Sequence, residues 1–183
     1  ATGLVAKKEL PHGFEESVSF SGAAFYFFYH YGVAAYLQET YDLTKVCFLG
    51  ASSGAFPALF LASDISIKEI METWTPEAHS ILDKKLTGVY FNYAEVVGKV
   101  CLKHMHPDAY KKVSGRATIS LTNMESWVPC NERISEFASN KNLLDVAFAS
   151  CHIPYYIKCQ YLANLNGKKY IDGALSDYQP VLN

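Results

Sequence analysis

The chain has 183 residues and balances 16 Lys plus Arg against 18 Asp plus Glu, so it lacks the basic excess that a nucleic-acid binder needs against phosphate. Hydrophobic residues make up 50% and charged residues 19%, which excludes a disordered chain and fits one domain with a full core. That core is rich in aromatics, with 13 Tyr, 11 Phe and 2 Trp.

In chain order, residues 1–15 form an N-terminal extension without the apolar run of a signal peptide. Ser17–Phe20 is a short β run, followed by small residues at Ser21–Ala24. Phe25–Glu39 is a helical segment that is apolar all round, an arrangement expected of a helix buried on most sides. Val46–Leu49 has the pattern of a buried strand and stops at Gly50, and a second apolar helix spans Gly54–Ala62. Ser66 and Glu69 have capping-box spacing and open a helix to about Trp74. Asn92 with Glu95 starts a helix to about Lys103, and a short helical piece covers Ala109–Lys112. Ala117–Thr122 is a strand, with residues 126–133 pairing beside it. Asn140 caps a helix to about Ser150, which Pro154 closes off, and Asn166-Gly167 is a hairpin turn before Lys169–Ile171. Strands alternating with helices predict an α/β domain over residues 16–183 around a mostly parallel sheet.

Two stretches, Gly22–Leu37 and Val46–Ala62, are apolar, but both fall short of the ~20 clean apolar residues that cross a bilayer, so no transmembrane span is expected. Cys47, Cys101, Cys130, Cys151 and Cys159 are odd in number and lack paired spacing, which favours buried free thiols and a reducing, intracellular compartment.

The sharpest chemical signal is Gly50-Ala51-Ser52-Ser53-Gly54, a G-x-S-x-G between a strand and a helix. Ser52 has glycines two residues away on both sides, a register that Ser53 lacks. The turn presents its hydroxyl at a helix N-terminus, where developing negative charge is stabilised. The bland alternative is a turn of small residues that serves packing. A serine nucleophile needs a base and an oxyanion hole. Asp172, in Ile171-Asp172-Gly173-Ala174, sits where a strand runs into a glycine turn and can enter the same cleft. The rival is a Ser-Asp-His triad using Asp145 and His152, although Asp145 lies on a helix and His152 in an apolar run. Backbone N–H groups of Gly22, Ala23 and Ala24 are the candidate oxyanion donors, since small residues there let a carbonyl approach closely.

Ser19–Phe25, Tyr29-His30-x-Gly32-Val33, Gly50-x-Ser52-x-Gly54 and Asp172-Gly173-Ala174, together with Ile119–Thr122 and Ala149–Pro154, occur in an order that resembles the patatin-like phospholipase family in its animal-type branch. The resemblance runs from about residue 16 to 180. It implies a three-layer α/β sandwich, a Ser52/Asp172 dyad, and an oxyanion and substrate-binding set of Gly22, Ala23, Ala24 and Ser53, framed by Gly50, Gly54 and Gly173. It further implies hydrolysis of phospholipid, lysophospholipid or acylglycerol esters at a membrane or lipid-droplet surface, with no metal or cofactor at the dyad. Acyl transfer is known in some members. The family loop reads Gly-x-Gly, whereas position 24 is Ala here, and Phe27 replaces a further family glycine. If position 24 requires φ > 0, its Cβ strains the loop, so the rival to an active enzyme is an impaired lipid-binding module on the same fold. Family domains commonly continue past the point where this sequence stops, as in an excerpt or a minimal form.

The remaining candidates have plainer readings. His30 is expected to be a hydrogen-bonded buried histidine. Cys101, His104, His106 and Asp108 match no zinc spacing. The Lys pairs at 7–8, 84–85, 111–112 and 168–169 are expected on solvated surface, and Trp74 and Trp127 in packing. The aromatics from Phe20 to Tyr36 crowd the proposed oxyanion loop and suggest an apolar wall for acyl chains.

Overall fold

Three parallel strands carry the architecture: β1 (Glu16–Phe20), β2 (Val46–Ala51) and β3 (Ala117–Asn123), adjacent in that order. The computed structural model describes residues 10–11, 13–82, 94, 97–156 and 160–182. β2 is buried at every position, as a central strand covered on both faces must be. α1 (Phe27–Thr40) connects β1 to β2. The β2–β3 crossover contains α2 (Ala55–Ser63), α3 (Ile67–Leu82), the helical stretch α4 (97–104) and α5 (Ala109–Val113). β4 (Cys130–Ile134) then pairs antiparallel with β3. After α6 (Asn140–Ser150), the hairpin β5 (Ala163–Leu165) and β6 (Lys168–Ile171) turns at Asn166-Gly167, both at positive φ. The result is an open, mixed α/β sheet flanked by helices.

The register explains how the chain builds a site. β2 pairs with β3 only as far as Ala51↔Ser120, and β6 pairs antiparallel with β3 at Thr122↔Ile171 and Asn123↔Tyr170. Because β4 occupies the other edge of β3 from Ile119 to Asn123, β6 must lie on the edge that β2 has just left. The two strands therefore approach each other end to end beside β3. The residue after β2 is Ser52, and the residue after β6 is Asp172.

α2 anchors this arrangement. Ala55–Ala62 are all buried, and the helix packs on β1, β2 and β3. Each large apolar side chain so buried contributes roughly 1.5–3 kcal/mol. At its C-terminus Asp64 is left-handed (φ 56), and the buried Arg116 guanidinium donates to the carbonyls of Ala62, Leu43 and Val46 and to Asp64 Oδ1.

Some expectations are corrected. α1 is not buried on most sides: only Tyr31 and Ala34 are buried, while Phe28, Tyr29 and Tyr36, and Tyr26 in the turn before it, face solvent, because one face alone meets α2 and α3. α3 continues through Pro76 rather than ending near Trp74. The α6 cap is Ser139, whose side chain accepts from Asn142 N; Asn140 Oδ1 instead accepts from Tyr110 N. Trp74 is packed, but Trp127 is fully exposed in the β3–β4 connection. Cys47, Cys101 and Cys151 are buried, whereas Cys130 is exposed on β4. The expected helix start at Asn92 and Glu95, Cys159 and Lys pairs 7–8 and 84–85 lie outside the described residues.

Candidate active site

β2 ends in extended backbone at Ala51 (φ −130, ψ 142), and Ser52 then takes φ 53 and begins a 3-10 turn, Ser52–Gly54, that runs straight into α2. A non-glycine residue in the left-handed region costs on the order of 1–2 kcal/mol, so the elbow holds strain that its surroundings must maintain. The glycine frame follows from close approach. A Cβ on Gly54 would fall on the Phe20 and Ser21 carbonyl oxygens, and one on Gly50 would fall on the Gly54 carbonyl. The end of β1 therefore passes directly over the start of α2 and brings the 21–24 loop beside Ser52.

Ser52 Oγ donates to Asp172 Oδ2 at 2.7 Å, and both residues are only 8% exposed. Every polar group of Asp172 is engaged. Its N–H donates to the His152 carbonyl (2.9 Å), its carbonyl accepts from Thr122 Oγ1 (2.7 Å), and Oδ1 accepts from Ala174 N–H (2.9 Å). Gly173 lies so close to β3 that a Cβ would overlap the Ser120 carbonyl. Burial pushes the Asp172 carboxyl above its ordinary value, with Ser52, Ala174 N–H and His152 opposing that shift only in part. A raised carboxylate is a stronger base than an exposed one.

The loop donors are placed unevenly. Gly22 N–H donates to the Tyr178 carbonyl (3.0 Å) and Ala23 N–H to Ser53 Oγ (2.9 Å). Ala24 and Ser53 stand at the starts of the 3-10 turns Ala24–Tyr26 and Ser52–Gly54, where the first N–H groups have no intrahelical partner. Ala24 has φ 46, the condition under which its Cβ strains the loop. Gly22 itself is pressed against the site, since a Cβ there would stand 2.8 Å from Ala174 Cβ and 3.5 Å from Ser52 Cβ.

The rival groups are committed elsewhere. Asp145 pairs with Lys141 on α6 (2.6 Å). His152 is buried with Nε2 3.2 Å from the Gln160 carbonyl. His30, expected to be hydrogen-bonded, has no partner at Nδ1, and its ring meets Phe20 edge-on instead. His104 Nε2 bonds Thr73 Oγ1, His106 Nδ1 accepts from Asp108 N, and Asp108 pairs with Lys111. Burial pushes the Cys101 thiol up to about 12, so this set is not poised to hold a cation. Lys112 pairs with Asp64 and Lys168 with Glu132.

Sequence reasoning missed Ser150 and Thr122. Ser150 Oγ accepts from Ser52 N–H at 2.9 Å and donates to the Ser120 carbonyl at 2.7 Å. The sequence signal was their place in the family-like segments Ile119–Thr122 and Ala149–Pro154, which gave neither residue a role.

Comparison with known proteins shows the family of the chain. A profile of the patatin-like phospholipase family matches residues 18–182, nearly the full chain. The chain belongs to the patatin-like phospholipase family. It is 27% identical over 172 residues to the Mus musculus 1-acylglycerol-3-phosphate O-acyltransferase Pnpla3, covering 91% of this chain and 41% of that protein. It is 30% identical over 173 residues to the Rattus norvegicus patatin-like phospholipase domain-containing protein 2, covering 90% and 35%. It is also 27% identical over 179 residues to the Homo sapiens omega-hydroxyceramide transacylase, covering 94% and 32%. The chain thus spans roughly a third to two fifths of the length of these relatives. Among the described residues, no helix is long and apolar enough to cross a membrane.

Proposed function

We propose that residues 16–183 are the catalytic domain of a lipid acyl hydrolase that cleaves carboxylic esters of phospholipids, lysophospholipids or acylglycerols, with Ser52 as nucleophile and Asp172 as general base. The observation that carries this reading is the 2.7 Å hydrogen bond from Ser52 Oγ to Asp172 Oδ2 at the junction of β2 and β6. As Oγ bonds to the acyl carbon, its proton passes to Oδ2, and the carbonyl electron pair moves onto oxygen. That oxyanion faces the Ala24 and Ser53 N–H groups, while Gly22 and Ala23 hold the loop in shape through Tyr178 and Ser53 Oγ. Collapse expels the alcohol, which takes the proton from Asp172. Water then repeats the sequence on the acyl-serine. An alcohol in place of water gives acyl transfer, the activity in the names of two of the relatives.

The exposed side chains of Tyr26 and Tyr29, which follow the oxyanion loop, and of Leu175 and Tyr178, which follow Asp172, suit a site that works at a membrane or lipid-droplet surface. A second reading, an impaired lipid-binding module, draws on Ala24 at φ 46. Both are tested by turnover of 4-nitrophenyl butyrate and of phospholipid vesicles by the wild type, Ser52→Ala and Asp172→Asn. Turnover confined to the wild type is expected. Equal turnover by all three rejects the dyad, and vesicle binding without hydrolysis supports the second reading.

A further inference from the structure

We infer that Ser150 is a positioning residue that holds Ser52 in its reactive backbone conformation. The inference rests on Ser52 being the nucleophile. Ser150 closes α6, is fully buried, and touches three parts of the site at once. Its Oγ accepts the Ser52 N–H (2.9 Å), donates its own proton to the Ser120 carbonyl on β3 (2.7 Å), and stands 3.0 Å from where a Cβ on Gly173 would lie. Ser52 is at φ 53, so its left-handed backbone needs an outside partner to hold it there. The Ser150 hydroxyl is that partner. Its two bonds tie the elbow to β3, the strand against which β6 also places Asp172.

The same bond has a second effect. A Ser52 amide left unpaired beside the reacting carbonyl would compete for the substrate oxygen. With that amide given to Ser150, the oxyanion is directed to the N–H groups of Ala24 and Ser53. Ser150 therefore acts through Ser52 and touches no reacting atom.

Ser114 supplies an internal control. Its Oγ accepts from Phe137 N (3.0 Å) and donates to the Tyr110 carbonyl (2.9 Å), the same pairing of one accepted and one donated bond just past the end of α5, outside the site. Ser150→Ala, Ser150→Cys and Ser114→Ala are compared by thermal unfolding, by kcat and KM on 4-nitrophenyl butyrate, and by the rate at which a fluorophosphonate modifies Ser52. Ser150→Ala is expected to lose about 10- to 100-fold in kcat and in modification rate with KM within about twofold, the scale of a misplaced reacting group. Ser150→Cys, which keeps the shape and a weak hydrogen-bonding group, recovers part of the loss. Ser114→Ala loses stability only. The inference is overturned if Ser150→Ala keeps its kcat and modification rate, or loses no more than Ser114→Ala at matched stability. Should Ser150→Ala not fold, Ser150→Cys decides on its own: a rate equal to wild type rejects the role. Ser52→Ala run in parallel separates the two readings. Modification that persists in that variant condemns the nucleophile assignment, whereas modification that vanishes there while Ser150 variants react normally condemns only the role of Ser150.

Discussion

Replacing Ala24 with glycine should stabilise the protein and speed it up, an unusual direction for a substitution beside an active centre. Ala24 has φ 46, where a Cβ costs on the order of 1–2 kcal/mol and glycine costs nothing. Glycine also loosens the unfolded chain, which returns about 0.4–1 kcal/mol of that gain. The net expectation is about 0.5–1 kcal/mol of added stability. For a chain of 183 residues that is a rise in Tm of about 1–4 °C. If about 0.7 kcal/mol of the strain weighs on the oxyanion geometry, kcat rises about threefold. The neighbouring Ala23 is the control, because its φ of −142 is negative and carries no left-handed penalty, so Ala23→Gly should lose about 0.5–1 kcal/mol. Thermal melts and ester turnover on both variants read the outcome. If the two glycine variants lose stability equally, position 24 is not held left-handed, and the strain argument fails.

The pH dependence follows from Asp172. Its carboxyl is raised by burial, so turnover should climb with pH along a limb displaced above the ordinary aspartate value of ~3.9. Because the folded value exceeds the unfolded one, wild-type stability falls as pH rises through that window; Asp172→Asn, which cannot ionise, should lack the fall while losing turnover, as paired melts from acid to neutral pH would show. Gly173→Ala drives a Cβ into the Ser120 carbonyl and should cut both stability and kcat, since β6 can no longer bring Asp172 against β3; an unchanged kcat would contradict the junction described above. Arg116→Met removes the donor to three carbonyls and should cost about 1–3 kcal/mol in denaturant unfolding, with KM unchanged in whatever folds.

The elbow was legible in the sequence because every requirement is local: a buried strand, two glycines two residues from a serine, and an apolar helix after it. Asp172 was legible through the same kind of local pattern, a strand running into a glycine. The partnership between them was legible only through the order of the motifs and the resemblance it carries, because it depends on β6 taking the edge of β3 that β2 vacates, and nothing within either segment encodes that edge. Ser150 and Thr122 fell within family-like segments, but their roles were not legible for the same reason, as each acts through a hydroxyl on a distant backbone. The misreading of α1 has a different origin. Composition says how apolar a helix is, but neighbours decide which face they cover, and here Tyr26, Phe28 and Tyr29 are left open. Asn140 and Ser139 are both good caps, so only the observed bond to Asn142 N separates them.

The end-to-end meeting of β2 and β6 also sets a clock. Ser52 and Asp172 are separated by 120 positions, so a ribosome adding about 5–20 residues per second makes the serine on the order of ten seconds before its base. During that interval the elbow lacks the Asp172 carboxylate, and for the first 98 positions it also lacks the α6 hydroxyl. On the proposed mechanism, a nascent chain therefore gains its dyad only once β6 docks beside β3. Coupling competence to the docking of β6 guards against premature reaction through the order of assembly itself.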